Sequence, residues 1–208
     1  MSEWQTIDHA LAYLARADKL PHRTEGEKAL LDQIPVHTKR VLDLGTGDGR
    51  LLSLVKLNRP DIEGVALDFS ELMLERAKKR FAEEKHVTVI KHDFSSPLPA
   101  ELCHFDAIVS SLAIHHLTDS RKKQLYQEIF DLLNPKGVFC NLDHVSSVTQ
   151  NLHLKFLAAT GFTPQTEDPS NKLLDVETQL GWLRQIAFLD VDCYWKWLEI
   201  ALLIGFKP

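Results

Sequence analysis

Cysteine is scarce in this chain, with three among 208 residues. Cys103, Cys140 and Cys193 are odd in number, widely spaced and free of any C-x-x-C pair. That pattern excludes a disulfide scaffold or a cysteine zinc site and fits small buried hydrophobes in a reducing cytoplasm. A basic excess is missing too: 24 Lys and Arg stand against 29 Asp and Glu, for a net charge of −5. This argues against a dedicated nucleic-acid binder. Long apolar runs are also absent. The longest, Ile200 to Phe206, is far short of the ~18–20 residues a membrane span needs. The N-terminus carries Glu3 and Asp8 and has no apolar stretch of export-signal length. There are no internal repeats, low-complexity tracts or linkers. What remains, 44% apolar and 25% charged residues, is the balance of one globular domain with a real core.

The apolar spacing sets the organisation. Trp4, Ile7, Leu11, Leu14 and Ala15 recur at helical spacing over residues 3–18. Thr24-x-x-Glu27 ahead of Ala29, Leu30, Leu31 and Ile34 reads as a capping box opening a second helix, which Pro35 closes. From residue 40 short apolar runs alternate with helical stretches. Val41–Leu44, Gly64–Leu67, Val87–Ile90, Asp106–Ser110 and Val138–Leu142 read as strands, with helices at Arg50–Leu57, Ser70–Glu83 and Ser120–Leu133 between them. Asn134-Pro135-Lys136-Gly137 reads as a turn. The alternation predicts an α/β fold, a doubly wound, mostly parallel sheet with helices on both faces. Helical pattern returns at Ser146–Thr160 and Asp175–Ala187 around a polar loop. Two late strands, Val191–Trp195 and Ala201–Phe206, are joined by too few residues for a crossover helix and must pair antiparallel at one edge. The expected layout is N-terminal helices over 1–35, a ligand-binding core over 36–145, and an acceptor-side segment with the terminal strand pair over 146–208.

The stretch richest in chemistry is Val41-Leu-Asp-Leu-Gly-Thr-Gly-Asp-Gly-Arg50, a buried strand running into three alternate glycines and then a helix. Glycine there allows a sharp turn and a close approach of ligand to main chain. Asp68 ends the next strand, where a carboxylate can accept hydrogen bonds from both hydroxyls of a ribose. A dinucleotide fingerprint would need Gly or Ala at position 50, which here is Arg50, and Asp43 is a poor neighbour for a pyrophosphate. A carboxylate at 43 suits a ligand carrying an ammonium group. A nicotinamide-dependent oxidoreductase is therefore the second reading, and a non-catalytic cofactor-binding partner protein the third.

Asp43-Leu-Gly-Thr-Gly-Asp-Gly49 resembles the first motif of the class I S-adenosylmethionine-dependent methyltransferases. Further stretches resemble the same family in order and spacing: Ala66-Leu-Asp68-Phe69-Ser70 with Met73-Leu74, His92-Asp93-Phe94, Phe105 to Leu117, and Leu132-Leu-Asn-Pro-Lys-Gly-Val138, where Lys136 replaces the family's first glycine. The resemblance covers about residues 36–145. It implies a seven-stranded Rossmann-like sheet and S-adenosyl-L-methionine as cofactor. By the same resemblance Asp43, Gly45, Thr46, Gly47 and Gly49 would sit at the methionine portion. Asp68 would hold the ribose, Phe69 and Met73 would flank the adenine, and Asp93 with Phe94 would read it, with Ser110 completing the cofactor set. Helices ahead of the first strand have no place in the βαβ core and are expected to form a lid over the cofactor edge, with Arg23 meeting the cofactor's carboxylate.

Methyl transfer from a sulfonium is an in-line displacement in which the protein mainly supplies alignment and a dry site. A protonated acceptor adds the need for a base. The ends of the fourth and fifth strands offer Ser110, Ser111, His115, His116, Asn141, Asp143 and His144. His115 and His116 are the catalytic candidates. Ser111-Leu-Ala-Ile114 stands where base-modifying enzymes of nucleic acids carry a [DNS]-P-P-[YFW] run, so the expected acceptor is a small or medium-sized molecule. No metal is expected. Trp182, Trp195 and Trp197 are read as acceptor wall or core.

Overall fold

The computed structural model describes residues 20–208. The helix expected over 3–18 lies outside the described residues. Seven strands form one sheet: β1 (Arg40–Leu44), β2 (Glu63–Asp68), β3 (Val87–Lys91), β4 (Phe105–Ser111), β5 (Leu133–His144), β6 (Leu189–Trp197) and β7 (Ile200–Phe206). Their spatial order is β3-β2-β1-β4-β5-β7-β6. β1 pairs in parallel with β2 and β4, β2 with β3, and β4 with β5. β7 alone runs against its neighbours, paired antiparallel to both β5 and β6. The short link between the last two strands forces this reversal, as the sequence predicts.

The helices are α1 (Arg23–Leu31), α2 (Arg50–Asn58), α3 (Glu71–Arg80), α4 (Asp119–Leu132), α5 (Gln150–Thr160) and α6 (Val176–Ile186). Strand alternation divides the core between the two faces. Val41, Ala107, Val109, Val138, Cys140 and Leu142 point to a face packed by Leu52 and Val55 of α2 and by Phe156 and Leu157 of α5. Leu42, Leu44, Ile108 and Phe139 point to the other face, against Leu125, Tyr126 and Ile129 of α4 and Leu183 of α6. Each such wholly buried aliphatic or aromatic side chain contributes roughly 1.5–3 kcal/mol.

Two local readings need correction. α1 does not open on a capping box: its N-cap is His22, in a left-handed conformation with no side-chain cap, so Thr24 lies inside the first turn. Glu27 is instead drawn to two guanidinium groups, described below. Asn134–Gly137 is not a free turn, because α4 runs directly into β5. Lys136 takes the bend at φ 65 within the strand, and the pairing with β4 slips there, between Phe105 and Ala107. Of the two readings of the tryptophans the core one holds: Trp182 packs on the α4 face, and Trp195 and Trp197 on the α1 face. Gly26 of α1 lies so close to Leu142 and Trp195 that a Cβ would come within 2.9 Å of both, which fixes the helix on the sheet. No helix among the described residues is long and apolar enough to cross a membrane.

Candidate active site

In an open α/β sheet, ligands bind outside the carboxyl ends of the strands where the strand order reverses. Here that point lies between β1 and β4. The chain leaving β1 at Leu44 folds back at once, and the N–H groups of Gly45 and Thr46 both donate to the carbonyl of Leu67. Gly45 has φ +69, and a Cβ there would lie 2.3 Å from that of Ala113, so no other residue fits the crossing to the β4 exit. Gly47 also has a positive φ, +57, but nothing lies within 4 Å of its missing Cβ; it faces open space. Its N–H donates to Oδ2 of Asp68 at 2.9 Å, and the N–H of Ser70 donates to Oδ1 at the same distance. These two bonds fix the Asp68 carboxylate at the rim, although burial raises its pKa above the usual carboxylate value.

The space facing Gly47 is a cavity of about 270 Å³. Of the cofactor residues expected from the sequence, Gly45, Gly47, Asp68, Phe69, Met73, Asp93 and Phe94 line it. His116 lines it as well. Asp43, Thr46 and Gly49 stand behind this wall. Thr46 donates its hydroxyl to Oδ2 of Asp43 at 2.7 Å, and Gly49 is the N-cap of α2. Oδ1 of Asp43 is buried without a hydrogen-bond donor, and burial pushes the carboxyl up to about 7. An orphaned buried carboxylate oxygen beside a glycine turn suits a cationic ligand group.

Two cofactor candidates are held away from the cavity. Ser110 is fully buried in β4 and donates its hydroxyl to the carbonyl of Leu44, tying β4 to β1. Arg23 is buried at the start of α1 and donates from Nε to Glu27 at 2.9 Å. The same Glu27 receives Nε and Nη2 of Arg50, at 2.8 and 2.9 Å. Glu27 therefore ties α1 to the first residue after the glycine turn, and Arg50 stands where a dinucleotide fingerprint needs a small residue. Ser95, Leu112, Leu117 and Lys172 also line the cavity. Lys172 carries no sequence signal. The loop after α5 brings it in, its N–H donating to the carbonyl of His115 and its Nζ to that of His116.

The two catalytic candidates sit in one 3-10 turn after β4 with ring centroids 3.9 Å apart, yet their surroundings differ. Nδ1 of His115 lies 2.6 Å from Oδ1 of Asp143, and both side chains are buried. Burial acts to raise the Asp143 carboxyl, but the His115 ring outweighs it and holds the carboxyl below its usual range. The ionised carboxylate accepts a hydrogen bond from Nδ1–H of His115, which leaves Nε2 as the nitrogen with the free lone pair. His116 pairs with the Ser170 hydroxyl at 2.9 Å, and burial pushes it down to about 3. It stays neutral.

A second cavity of about 130 Å³ opens beside the first. Leu112 lines both, at φ 55, a strained conformation for leucine. His116 belongs to the first cavity and His115 to the second. Glu167, Asp168 and Asn171 of the loop after α5 line the second cavity and also a polar groove of about 760 Å³ beyond it.

Comparison with known proteins agrees with this geometry. Residues 41–137 match the family model of the methyltransferase domain. An uncharacterised methyltransferase of Mycobacterium bovis is 33% identical over 138 residues, which is 64% of this chain and 66% of the relative. An O-methyltransferase family protein from Burkholderia thailandensis superposes with a TM-score of 0.73 at 16% identity, over 90% of this chain and 56% of that one. An O-methyltransferase family 2 protein from Planctomyces limnophilus, in complex with apigenin, superposes with a TM-score of 0.71 at 18% identity, over 100% of this chain and 62% of that one. At such identities the structural matches establish the fold alone, and this chain spans less than two thirds of the length of these proteins.

Proposed function

We propose, starting from a chain that belongs to the class I S-adenosylmethionine-dependent methyltransferases, that it transfers the donor's methyl group to a small-molecule acceptor across the wall shared by the two cavities. The observation that carries this reading is Leu112, which lines both spaces, with neutral His116 on one side and the His115–Asp143 pair on the other. The apigenin complex of the Planctomyces protein supports an acceptor of small-molecule size. The net charge of −5 and the carboxylates around the second cavity weigh against nucleic acid.

The residues fit the donor. Gly45 and Gly47 leave its methionine portion room against the main chain, and the free oxygen of Asp43 lies in the wall behind them to balance an ammonium group. Asp68 keeps lone pairs for two ribose hydroxyls after accepting its two backbone bonds. Phe69 and Met73 present apolar walls for the adenine, and Asp93, whose Oδ1 accepts the Ser95 N–H, stands at its edge. When bound, S-adenosylmethionine supplies a methyl group on a sulfonium whose departing sulfur keeps the C–S electron pair and leaves as a neutral thioether. The protein's tasks are then alignment, exclusion of water and removal of one proton. His115 takes that proton at Nε2, and Asp143 holds the ring and balances the imidazolium. His116 has too low a pKa to serve as base. Through Ser170 it anchors the loop that closes the site. Free thiols at Cys103, Cys140 and Cys193 support a cytoplasmic location.

The test is cofactor binding followed by turnover. S-adenosylhomocysteine at ~100 times its Kd should raise stability by ~2.7 kcal/mol, or roughly 5–10 °C in Tm, with no rise for NAD. A rise with NAD alone refutes the reading. Incubation with labelled donor and a metabolite pool should then yield a methylated product by mass spectrometry.

A further inference from the structure

The second cavity is defined on the acceptor side by His115, His144, Phe156, Leu157, Phe162 and Ile200. Its volume of about 130 Å³ matches one six-membered aromatic ring, since an apolar protein cavity of ~150 Å³ takes up benzene. Its polar groups are unusual in being duplicated. His115 is backed by Asp143, and His144 is backed by Glu199, with His144 Nε2 3.0 Å from Oε2 of a carboxylate that is wholly buried. The two imidazoles lie edge to face with centroids 5.6 Å apart. Glu199 stays ionised because its bonds to His144, Ser147 and His153 outweigh its burial, while burial keeps His144 neutral. Nε2 of His144 therefore donates to Glu199, and Nδ1 is left as a hydrogen-bond acceptor. Each of these two cavity-lining histidines thus keeps one nitrogen as an acceptor, Nε2 of His115 and Nδ1 of His144, and spends its donor on a carboxylate.

A ligand that satisfies both nitrogens must bring two donors on one small ring. Asp143 and Glu199 stand behind the cavity, and Glu167 and Asp168 line its rim, so a ring carrying its own carboxylate meets only like charge. Resting on the methyltransferase reading, we propose that the acceptor is an uncharged aromatic ring with two hydroxyl groups. The hydroxyl to be methylated gives its proton to Nε2 of His115, and the second donates to Nδ1 of His144. Glu199 is a positioning residue that acts through His144, and it selects the dihydroxy ring over the monohydroxy one.

The test uses the full chain saturated with S-adenosylhomocysteine and three probes: catechol, phenol and 3,4-dihydroxybenzoate. By calorimetry or ligand-observed NMR, catechol should bind at least tenfold more tightly than either of the others. With S-adenosylmethionine it should give a monomethylated ring. His144→Phe keeps an aromatic ring but removes the nitrogen, and should cut the catechol-to-phenol affinity ratio about tenfold. Glu199→Gln should reduce the same ratio, a readout that mere loosening of the fold would not move. It also serves if His144→Phe does not fold. Equal affinity of the wild type for catechol and phenol, tight binding of the carboxylated ring, or an unchanged ratio in the folded variants overturns the proposal. Binding of S-adenosylhomocysteine without binding of catechol overturns this inference alone. Failure to bind S-adenosylhomocysteine removes the methyltransferase reading and this inference with it.

Discussion

Replacing Asp43 by Asn separates what this carboxylate does for folding from what it does for binding. Its carboxyl titrates at about 7 in the fold against an ordinary value of 3.8, chiefly because burial penalises the charge. At about 1.4 kcal/mol per pKa unit, that difference costs the ligand-free fold about 4 kcal/mol once the group is ionised. A group whose pKa is raised by folding contributes fully below its unfolded pKa. Its contribution is lost as pH climbs toward the folded one, here between about 4 and 7. Asn keeps an acceptor for the Thr46 hydroxyl but puts a buried NH2 donor in the place of Oδ1. Allowing about 2 kcal/mol for that buried amide leaves a net gain of about 2 kcal/mol at pH 8. For a chain of this length this is roughly 4–8 °C in Tm. At pH 4, where the wild-type carboxyl is protonated, only the amide's cost remains and the variant should be less stable than wild type by about 2 kcal/mol. Binding should weaken, because losing one partner of a buried charge pair costs about 2 kcal/mol or more, at least thirtyfold in Kd. Wild-type affinity for S-adenosylhomocysteine should also rise with pH up to about 7, and the Asn variant should show no such slope. Thermal melts at pH 4 and 8, with titration calorimetry across pH 5.5–8, measure all three. A variant no more stable than wild type at pH 8, with affinity within threefold, would falsify the argument.

Other substitutions probe the remaining walls. Asp68→Ala removes the oxygens proposed to hold the ribose and should weaken S-adenosylhomocysteine by about 1–3 kcal/mol in calorimetry; unchanged affinity would make the residue a structural clip for Gly47 and Ser70. His115→Ala should lower turnover by ~10²-fold or more with donor affinity intact, and Asp143→Asn should lower it by at least tenfold; near wild-type rates in both would mean catalysis by alignment alone. His116→Ala should leave the pH profile of the rate unchanged, since a histidine at about 3 does not titrate near neutrality. Glu27→Gln leaves Arg23 and Arg50 short of a buried counter-charge and should lower stability by about 3 kcal/mol, read as a Tm drop of roughly 6–12 °C.

The core of this fold is legible because its signals are local. Alternating apolar residues at Val41 to Leu44 and again at Phe105 to Val109 mark strands, and glycines at 45, 47 and 49 mark the turn that a close ligand requires. The cavity wall follows from the same stretch, since Asp68, Phe69, Met73, Asp93 and Phe94 all lie within a few residues of a strand end. What the sequence hides is pairing across distance. Glu27 looks like half of a capping box until Arg50, 23 residues away, is seen to claim it. His115 and His116 are alike as letters and differ only through Asp143, Ser170 and the depth at which each ring is buried. Lys172 reaches the first cavity from a loop that carries no pattern of its own, and Glu199 sits in the link of a hairpin whose strands are legible but whose contact with His144 is not.

The reversed strand has a consequence for synthesis. Space orders the edge as β5, β7, β6, while the ribosome makes β6 before β7. β6 thus has no sheet partner until β7 has been made and inserted against β5. Glu199, in the tight link between these two strands, can reach His144 only after that insertion. Every strand beside the glycine turn has been made by then. A nascent chain should therefore hold its methyl donor before it has any place for an acceptor.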